Sequence, residues 1–263
     1  IIYSDASKNN AAETLVHETR EYIRTISGFK SVVIIEHSKN LGLATSIMNG
    51  VTAVCSDYGQ VIVLEDDLVV SPSFLAYMND GLNKYANDQK VMQLAGYMFP
   101  IDVELTGDAI LLPFISSWGW ATWQRAWKFY DPSARLYKQL SSDSKLKRRF
   151  DLDGNYSYFN MLRAQQEGKI NSWAIRWYLS VFLMGGLTLY PRNGMVENLG
   201  FDGSGVNCAV SEFDQIPLDK NFRVKKFPIR IDQSLNYNKI IREMPKPTWS
   251  IKSYLSRVIK LFK

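Results

Sequence analysis

One stretch constrains this chain more than any other: Val61-Ile62-Val63-Leu64-Glu65-Asp66-Asp67-Leu68. Four apolar residues run without a polar break, and three acids follow at once. An unbroken apolar run of that kind predicts a strand covered on both faces, as in a parallel sheet. The acids then stand at the strand's carboxyl end, where open α/β sheets bind their ligands. Adjacent carboxylates repel one another and resist leaving water, so folding alone gives no reason to put them there. A divalent cation with a hydroxyl-rich substrate gives one, because Mg²⁺ and Mn²⁺ take oxygen ligands and bridge carboxylates to phosphates. A solvated acidic turn is the plain alternative. Ser71-Pro72-Ser73 predicts a helix start, with a hydroxyl cap and Pro in the first turn. The acids therefore fall in a short strand-to-helix loop.

Composition narrows the chemistry further. The 263 residues are 46% hydrophobic and 22% charged, which predicts a folded chain with an ample core. The two cysteines, Cys55 and Cys208, imply no bridge framework and no zinc site. Cys55 falls in an apolar helical pattern and reads as a buried structural thiol. His17 and His37 are the only histidines, and neither has the setting of a Ser-His-Asp or Cys-His site. No apolar run is long enough for a transmembrane helix. The net charge of +5 is uneven: residues 220–263 hold twelve Lys or Arg against two acids, and the rest holds 19 against 24.

The acid stretch carries a resemblance. Glu65-Asp66-Asp67 after an apolar strand, followed by Leu68, two apolar residues and Ser71-Pro72-Ser73-Phe74, resembles the metal-binding motif of GT-A glycosyltransferases. It is most similar to the N-acetylglucosaminyltransferase that starts complex N-glycans and its bacterial relatives, over roughly residues 1–210. The resemblance implies an α/β fold of the GT-A, Rossmann-like type, a mixed, mainly parallel sheet flanked by helices, to which the residue pattern adds a basic C-terminal tail helix. It implies Asp67 as the ligand of Mn²⁺ or Mg²⁺, with Glu65 and Asp66 touching donor ribose and sugar. An Asp ending the second strand faces the nucleotide base in that family, which by position is Asp5; an N-cap for the next helix is the alternative. The family also has a βα unit before the strand at Ile1-Ile2-Tyr3-Ser4-Asp5, so that unit is expected to be missing.

Along the chain, residues 11–27 predict an amphipathic helix with Leu15, Ile23 and Ile26 on its apolar side. Val32–Ile35 predicts a strand, and Asn40-Leu41-Gly42 leads into a helix over about 44–56. That loop resembles the donor-side loop of many GT-A enzymes, or is a tight turn with a cap. A helix over 73–86 puts Leu75, Met78, Leu82 and Tyr85 on one face. Strands are expected at 91–95 and 187–191, and helices at 141–149 and 155–167.

Trp118-Gly119-Trp120-Ala121-Thr122-Trp123 is the second strong feature. Gly119 permits close backbone approach, and indole faces stack on sugar C–H faces. Trp120, Trp123 and Trp127 fall on one helical face. Trp123 and Trp127 are assigned to the core and Trp118 and Trp120 to the pocket. The resemblance puts a Gly-Trp pair here, so Trp120 is assigned to the donor, and Trp118 and Trp173 to the acceptor. Where that family has two acids before this last Trp, the chain has Asn171 and Ser172. Arg176 then reads as a diphosphate partner or an internal salt bridge. Asn198–Gly205 is a glycine-rich loop that closes over the donor or simply links elements.

The base is the least determined assignment. Counting back from Trp120 to where the family has its Asp lands on Pro113, so another carboxylate must serve. Asp108, Asp151, Asp153 and Glu197 stand in plausible loops, and Asp153 is chosen ahead of Asp151, with one of that pair capping the following helix. Residues 1–215 are read as the transferase domain and 216–263 as a basic linker with an amphipathic helix. In that helix Ile251, Tyr254, Leu255, Val258 and Phe262 form a stripe beside Lys252, Arg257, Lys260 and Lys263. Such a helix lies on an anionic membrane surface or packs on the domain. The expected function is an inverting, metal-dependent transferase taking a nucleotide-diphosphate sugar to a glycan or lipid-linked acceptor, without nucleic acid. Its expected place is the cytoplasm, peripheral to the inner face of the membrane. A non-catalytic nucleotide-sugar or glycan-binding module and a nucleotidyltransferase are the competing readings.

Overall fold

The computed structural model describes residues 1–101, 107–200, 217–228 and 237–244. Strand β1 (Ile2–Ser4) leads through a 3-10 turn to α1 (Glu13–Arg24) and then β2 (Ile34–Glu36), which pairs in parallel with β1. Helix α2 (Leu43–Tyr58) carries the chain to β3 (Gln60–Val63), β4 (Leu68–Val70) and α3 (Phe74–Lys84). Then come β5 (Val91–Ala95), β6 (Ala109–Leu112), β7 (Trp120–Trp123) and α4 (Gln124–Trp127). Helices α5 (Tyr137–Ser142), α6 (Ser144–Phe150), α7 (Tyr158–Gln166) and α8 (Trp173–Leu183) follow. Strands β8 (Leu187–Pro191) and β9 (Val196–Asn198) and helix α9 (Tyr237–Glu243) complete the described elements.

The centre is a five-stranded sheet in the order β3-β7-β5-β8-β6. It is mixed, as expected, but not mainly parallel: only β5 and β8 run parallel, and the other neighbours are antiparallel. Parallel neighbours need a long crossover, as the helices between β5 and β8 supply, whereas antiparallel neighbours do not. Side chains alternate across the sheet. Trp120, Met92, Leu112 and Tyr190 join one core with α2 and the helices from α4 to α9, while Ala121, Leu94, Leu111 and Leu189 join a second core with α3.

That alternation corrects the reading of the tryptophans. Trp120 and Trp123 lie on extended backbone, paired through β7 with β3, so they point to opposite cores rather than along one helical face. The basic region beyond 215 is also less detached than expected. Phe222 and Val224 are buried in the second core, and Ile240, Ile241 and Met244 in the first. The amphipathic stripe from Ile251 to Phe262 lies outside the described residues.

The first layer is different in kind. Neither β1, β2 nor α1 has a fully buried residue. Leu15, expected on the covered side of α1, is 65% exposed. Arg20 takes the inward place instead. It donates to Ser4 Oγ, to the Asp5 and His37 carbonyls, and lies 3.5 Å from Glu36.

Candidate functional site

The acid loop sits where the sequence predicts, after the apolar strand, but its frame is built differently. β3 ends at Val63 and Leu64 is already exposed, because β3 is the terminal strand of its sheet. The three acids turn directly into β4, with the Leu68 amide donating to the Glu65 carbonyl at 3.3 Å. β4 pairs antiparallel with β9, matching Leu68 to Asn198 and Val70 to Val196. A short ribbon therefore stands between the acids and α3. Ser73 precedes α3 without capping it, and its hydroxyl donates to the Phe222 carbonyl at 2.6 Å.

Two glycines seat the ribbon. The Gly96 amide donates to the Gly119 carbonyl at 2.6 Å, and the Met195 amide donates to the Gly96 carbonyl at 2.8 Å. A side chain at Gly96 would meet Phe74 at 2.5 Å and Val196 at 2.7 Å; one at Gly119, where φ is +58°, would meet Val196 at 2.8 Å. The close approach expected at Gly119 is thus real, and what approaches is the β9 side of the ribbon.

Burial and like charge make the electrostatics of the loop unfavourable. Burial, with the neighbouring charges of Asp67 and Asp66, pushes the Glu65 carboxyl up to about 7. Asp67 is also raised, first by burial and then by Asp66, while its own backbone amide and the Asn198 side chain pull it back. Asp66 is exposed. No ion pair among the described residues involves any of the three.

The downstream strand grips Asp67 from its other side. The Leu199 amide donates to the Asp67 carbonyl at 2.8 Å, and the Gly200 amide donates to Asn198 Oδ1 at 2.7 Å. Asn198 is 3% exposed. The sequence reading passed over its side chain. An Asn two residues ahead of a Gly at the head of a loop was the available signal. Residues 201–205 of that loop lie outside the described residues.

The other assigned residues scatter. Asp5 does not cap a helix; Asn9 does so for the first turn. The Asp5 carboxylate accepts from the Leu41 and Gly42 amides at 2.8–3.1 Å and so holds the Asn40–Gly42 loop. Trp118 is half-buried with its ring edge-on to Tyr97 at 4.4 Å. Trp120 is fully buried and Trp173 is 4% exposed, and their rings stack at 4.9 Å and 20°. Those two faces are taken up by each other, so the core rather than a sugar pocket holds both.

Among the acids proposed as base, Asp151 accepts from the Phe159 amide at 2.6 Å and satisfies the start of α7. Burial nonetheless raises its carboxyl. Asp153 is exposed at φ 56°, ψ 26°, in the 3-10 turn before α7. Asp108 accepts from the Lys225 and Lys226 amides, which hold it below the usual carboxylate range. Glu197 lies on β9 opposite Val69. Arg176, 7% exposed, donates to the Ser172 and Pro132 carbonyls and to Asn171 Oδ1, and makes no ion pair among the described residues. Asn171 and Ser172 are structural there, since the Ser172 hydroxyl caps α8. Cys55 is buried, as expected, and burial pushes its thiol up to about 12.

Among the described residues no group of three His, Cys, Asp or Glu side chains converges to enclose a metal ion. The acid loop fits a different arrangement, in which one fixed carboxylate anchors a hard cation whose other ligands are water and phosphate oxygens. Asp67 has the half-buried, braced setting for that anchor. No protein-family model matches this chain, and no curated protein matches it.

Proposed function

We propose that this chain is a metal-dependent glycosyltransferase of GT-A type, moving a sugar from a nucleotide-diphosphate donor to an acceptor hydroxyl. The observation that supports it is the acid loop: three carboxylates at the end of β3, one pushed up to about 7, with no described cation beside them. Perturbed carboxylates crowded in one loop, with no ion pair among the described residues, are characteristic of a ligand site. Asp67 would hold Mn²⁺ or Mg²⁺, with Glu65 and Asp66 against the donor's ribose and sugar. The bound cation supplies neutralisation of the departing diphosphate. Trp118, the assigned indole that is not deeply buried, serves the acceptor, a glycan or lipid-linked sugar. Asp153, exposed and turned out by its backbone, is the base of an inverting displacement. A cytoplasmic protein resting on the inner face of the membrane through residues 251–262 completes the proposal, on the sequence pattern alone. No helix among the described residues is long and apolar enough to cross a membrane.

One observation favours a second reading, a non-catalytic nucleotide-sugar-binding module: Asp151 is committed to α7, which leaves the base to an exposed residue. Turnover separates the two. Nucleotide-sugars are incubated with Mn²⁺, with and without acceptor sugars, and with wild type or Asp67→Asn. The transferase reading expects turnover that falls at least about a hundredfold in the variant, a barrier increase of roughly 2.7 kcal/mol. Turnover within tenfold of wild type would remove Asp67 from the mechanism. Donor binding with neither hydrolysis nor transfer would establish the binding module.

A further inference from the structure

The contact between the acid loop and the strand that closes over it carries an inference about how the loop is held. β9 ends at Asn198, level with Leu68. The next amide, from Leu199, reaches back to the Asp67 carbonyl at 2.8 Å, so the ladder continues onto the acid residue itself. Asn198 is almost fully buried, and its Oδ1 is occupied by the Gly200 amide at 2.7 Å. Its amide nitrogen is thereby turned to donate, and its side chain hydrogen-bonds the Asp67 carboxyl. Gly200 closes the group by what it lacks. A Cβ there would lie 3.1 Å from Asn198 Oδ1 and 3.2 Å from Asp67 Cβ, and would overlap Asp67 Oδ2. Gly200 does not have the positive φ that would require glycine for backbone reasons, so the space is kept for the carboxylate.

We propose that Asn198 and Gly200 are positioning residues for Asp67: Asn198 braces its carboxylate from the buried side, and Gly200 leaves the space in which one carboxylate oxygen sits. The inference rests on the reading of Asp67 as the metal-holding carboxylate. Groups that orient a metal ligand typically alter affinity ten- to a hundredfold when removed. The brace fixes one acid of three, and so selects which carboxylate meets the cation.

Two measurements on the full chain test it. The first uses Mn²⁺ alone, with free ion followed by electron paramagnetic resonance, on wild type, Asp67→Asn, Asn198→Ala and Gly200→Ala. Binding by wild type that is lost in Asp67→Asn and about ten- to a hundredfold weaker in the other two is the expected result. Wild-type affinity in Asn198→Ala and Gly200→Ala would overturn the positioning role while leaving the metal reading intact. Failure of wild type to bind Mn²⁺ would overturn the metal reading, and the positioning role with it. The second is a thermal-melting cycle in EDTA of Gly200→Ala, Asp67→Ala and the double variant. Gly200→Ala should lower the melting temperature more with Asp67 present than once Asp67 is Ala, because only the overlap with Asp67 Oδ2 is removed in that background. An equal loss in both backgrounds would assign Gly200 a purely structural role and overturn its part in the brace.

Discussion

The acid loop and the tryptophan cluster share one strand pair, since Val63 of β3 is matched to Trp120 of β7. Beyond that point they have nothing in common. Around Trp120 the rings pack on one another, although the Trp120 indole N–H and the Tyr130 hydroxyl are buried without a hydrogen-bond partner among the described residues. Trp173 stacks on it, Trp127 lies 5.9 Å away, the Trp127 indole donates to Thr52, and the Trp177 indole donates to Gln93. A few residues past Val63, carboxylates crowd together with no described cation beside them. Aromatic residues that look like a sugar platform are consumed by the core, while the acids are held out of balance. Crowded like charge at the acids, against ring packing at the tryptophans, separates the two.

If that contrast holds, substitutions should divide into those that cost stability and those that cost binding. The largest stability loss is expected for Trp177→Ala, which empties a fully buried site and strands the Gln93 side-chain Oε1: about 3–5 kcal/mol, read by chemical denaturation. A loss under about 1 kcal/mol would mean that the cluster is loosely packed.

Next in size is a pH effect from Glu65. In the folded chain its carboxyl titrates at about 7, against an ordinary 4.5. Between those values the folded state holds the extra proton, so stability falls as pH rises from about 4.5 to about 7. The change is on the order of 3 kcal/mol and should vanish in Glu65→Gln. An unchanged slope in that variant would place the titrating group elsewhere.

The smallest stability effect belongs to Asp67→Asn. Removing one of three crowded charges should leave the melting temperature equal or raised, within about 1 kcal/mol, while metal binding is lost. A large drop in melting temperature would recast Asp67 as a residue held for folding.

What could be read from sequence followed from local pattern. β5 and β8 stand at 91–95 and 187–191, where apolar runs predict them. The three- and four-residue spacing marks α3, observed at Phe74–Lys84. The pattern fails where pairing is remote. β4 is three residues whose partner, β9, lies far along the chain, so nothing nearby announces it. The tryptophans of β7 have a spacing that suits a helix as well as a strand, and only pairing with β3 and β5 decides. Asp5 looks like a ligand-binding group in isolation, yet with Arg20 it holds the first layer, whose apolar residues are too exposed to do so. Asn198 was hidden for the same reason as β4, since its role exists only once β9 is beside Asp67.

The central claim is that Asp67 serves a cation shared with a diphosphate. It is tested most directly by melting wild type and Asp67→Asn with each common nucleoside diphosphate, with and without Mn²⁺. A ligand at a hundred times its dissociation constant stabilises by about 2.7 kcal/mol, a rise of several degrees for a chain of this size. At least one nucleoside diphosphate should produce that rise in wild type only with Mn²⁺ present, and Asp67→Asn should show none. An equal rise in the variant, or no rise with any nucleoside diphosphate and Mn²⁺, would contradict the account.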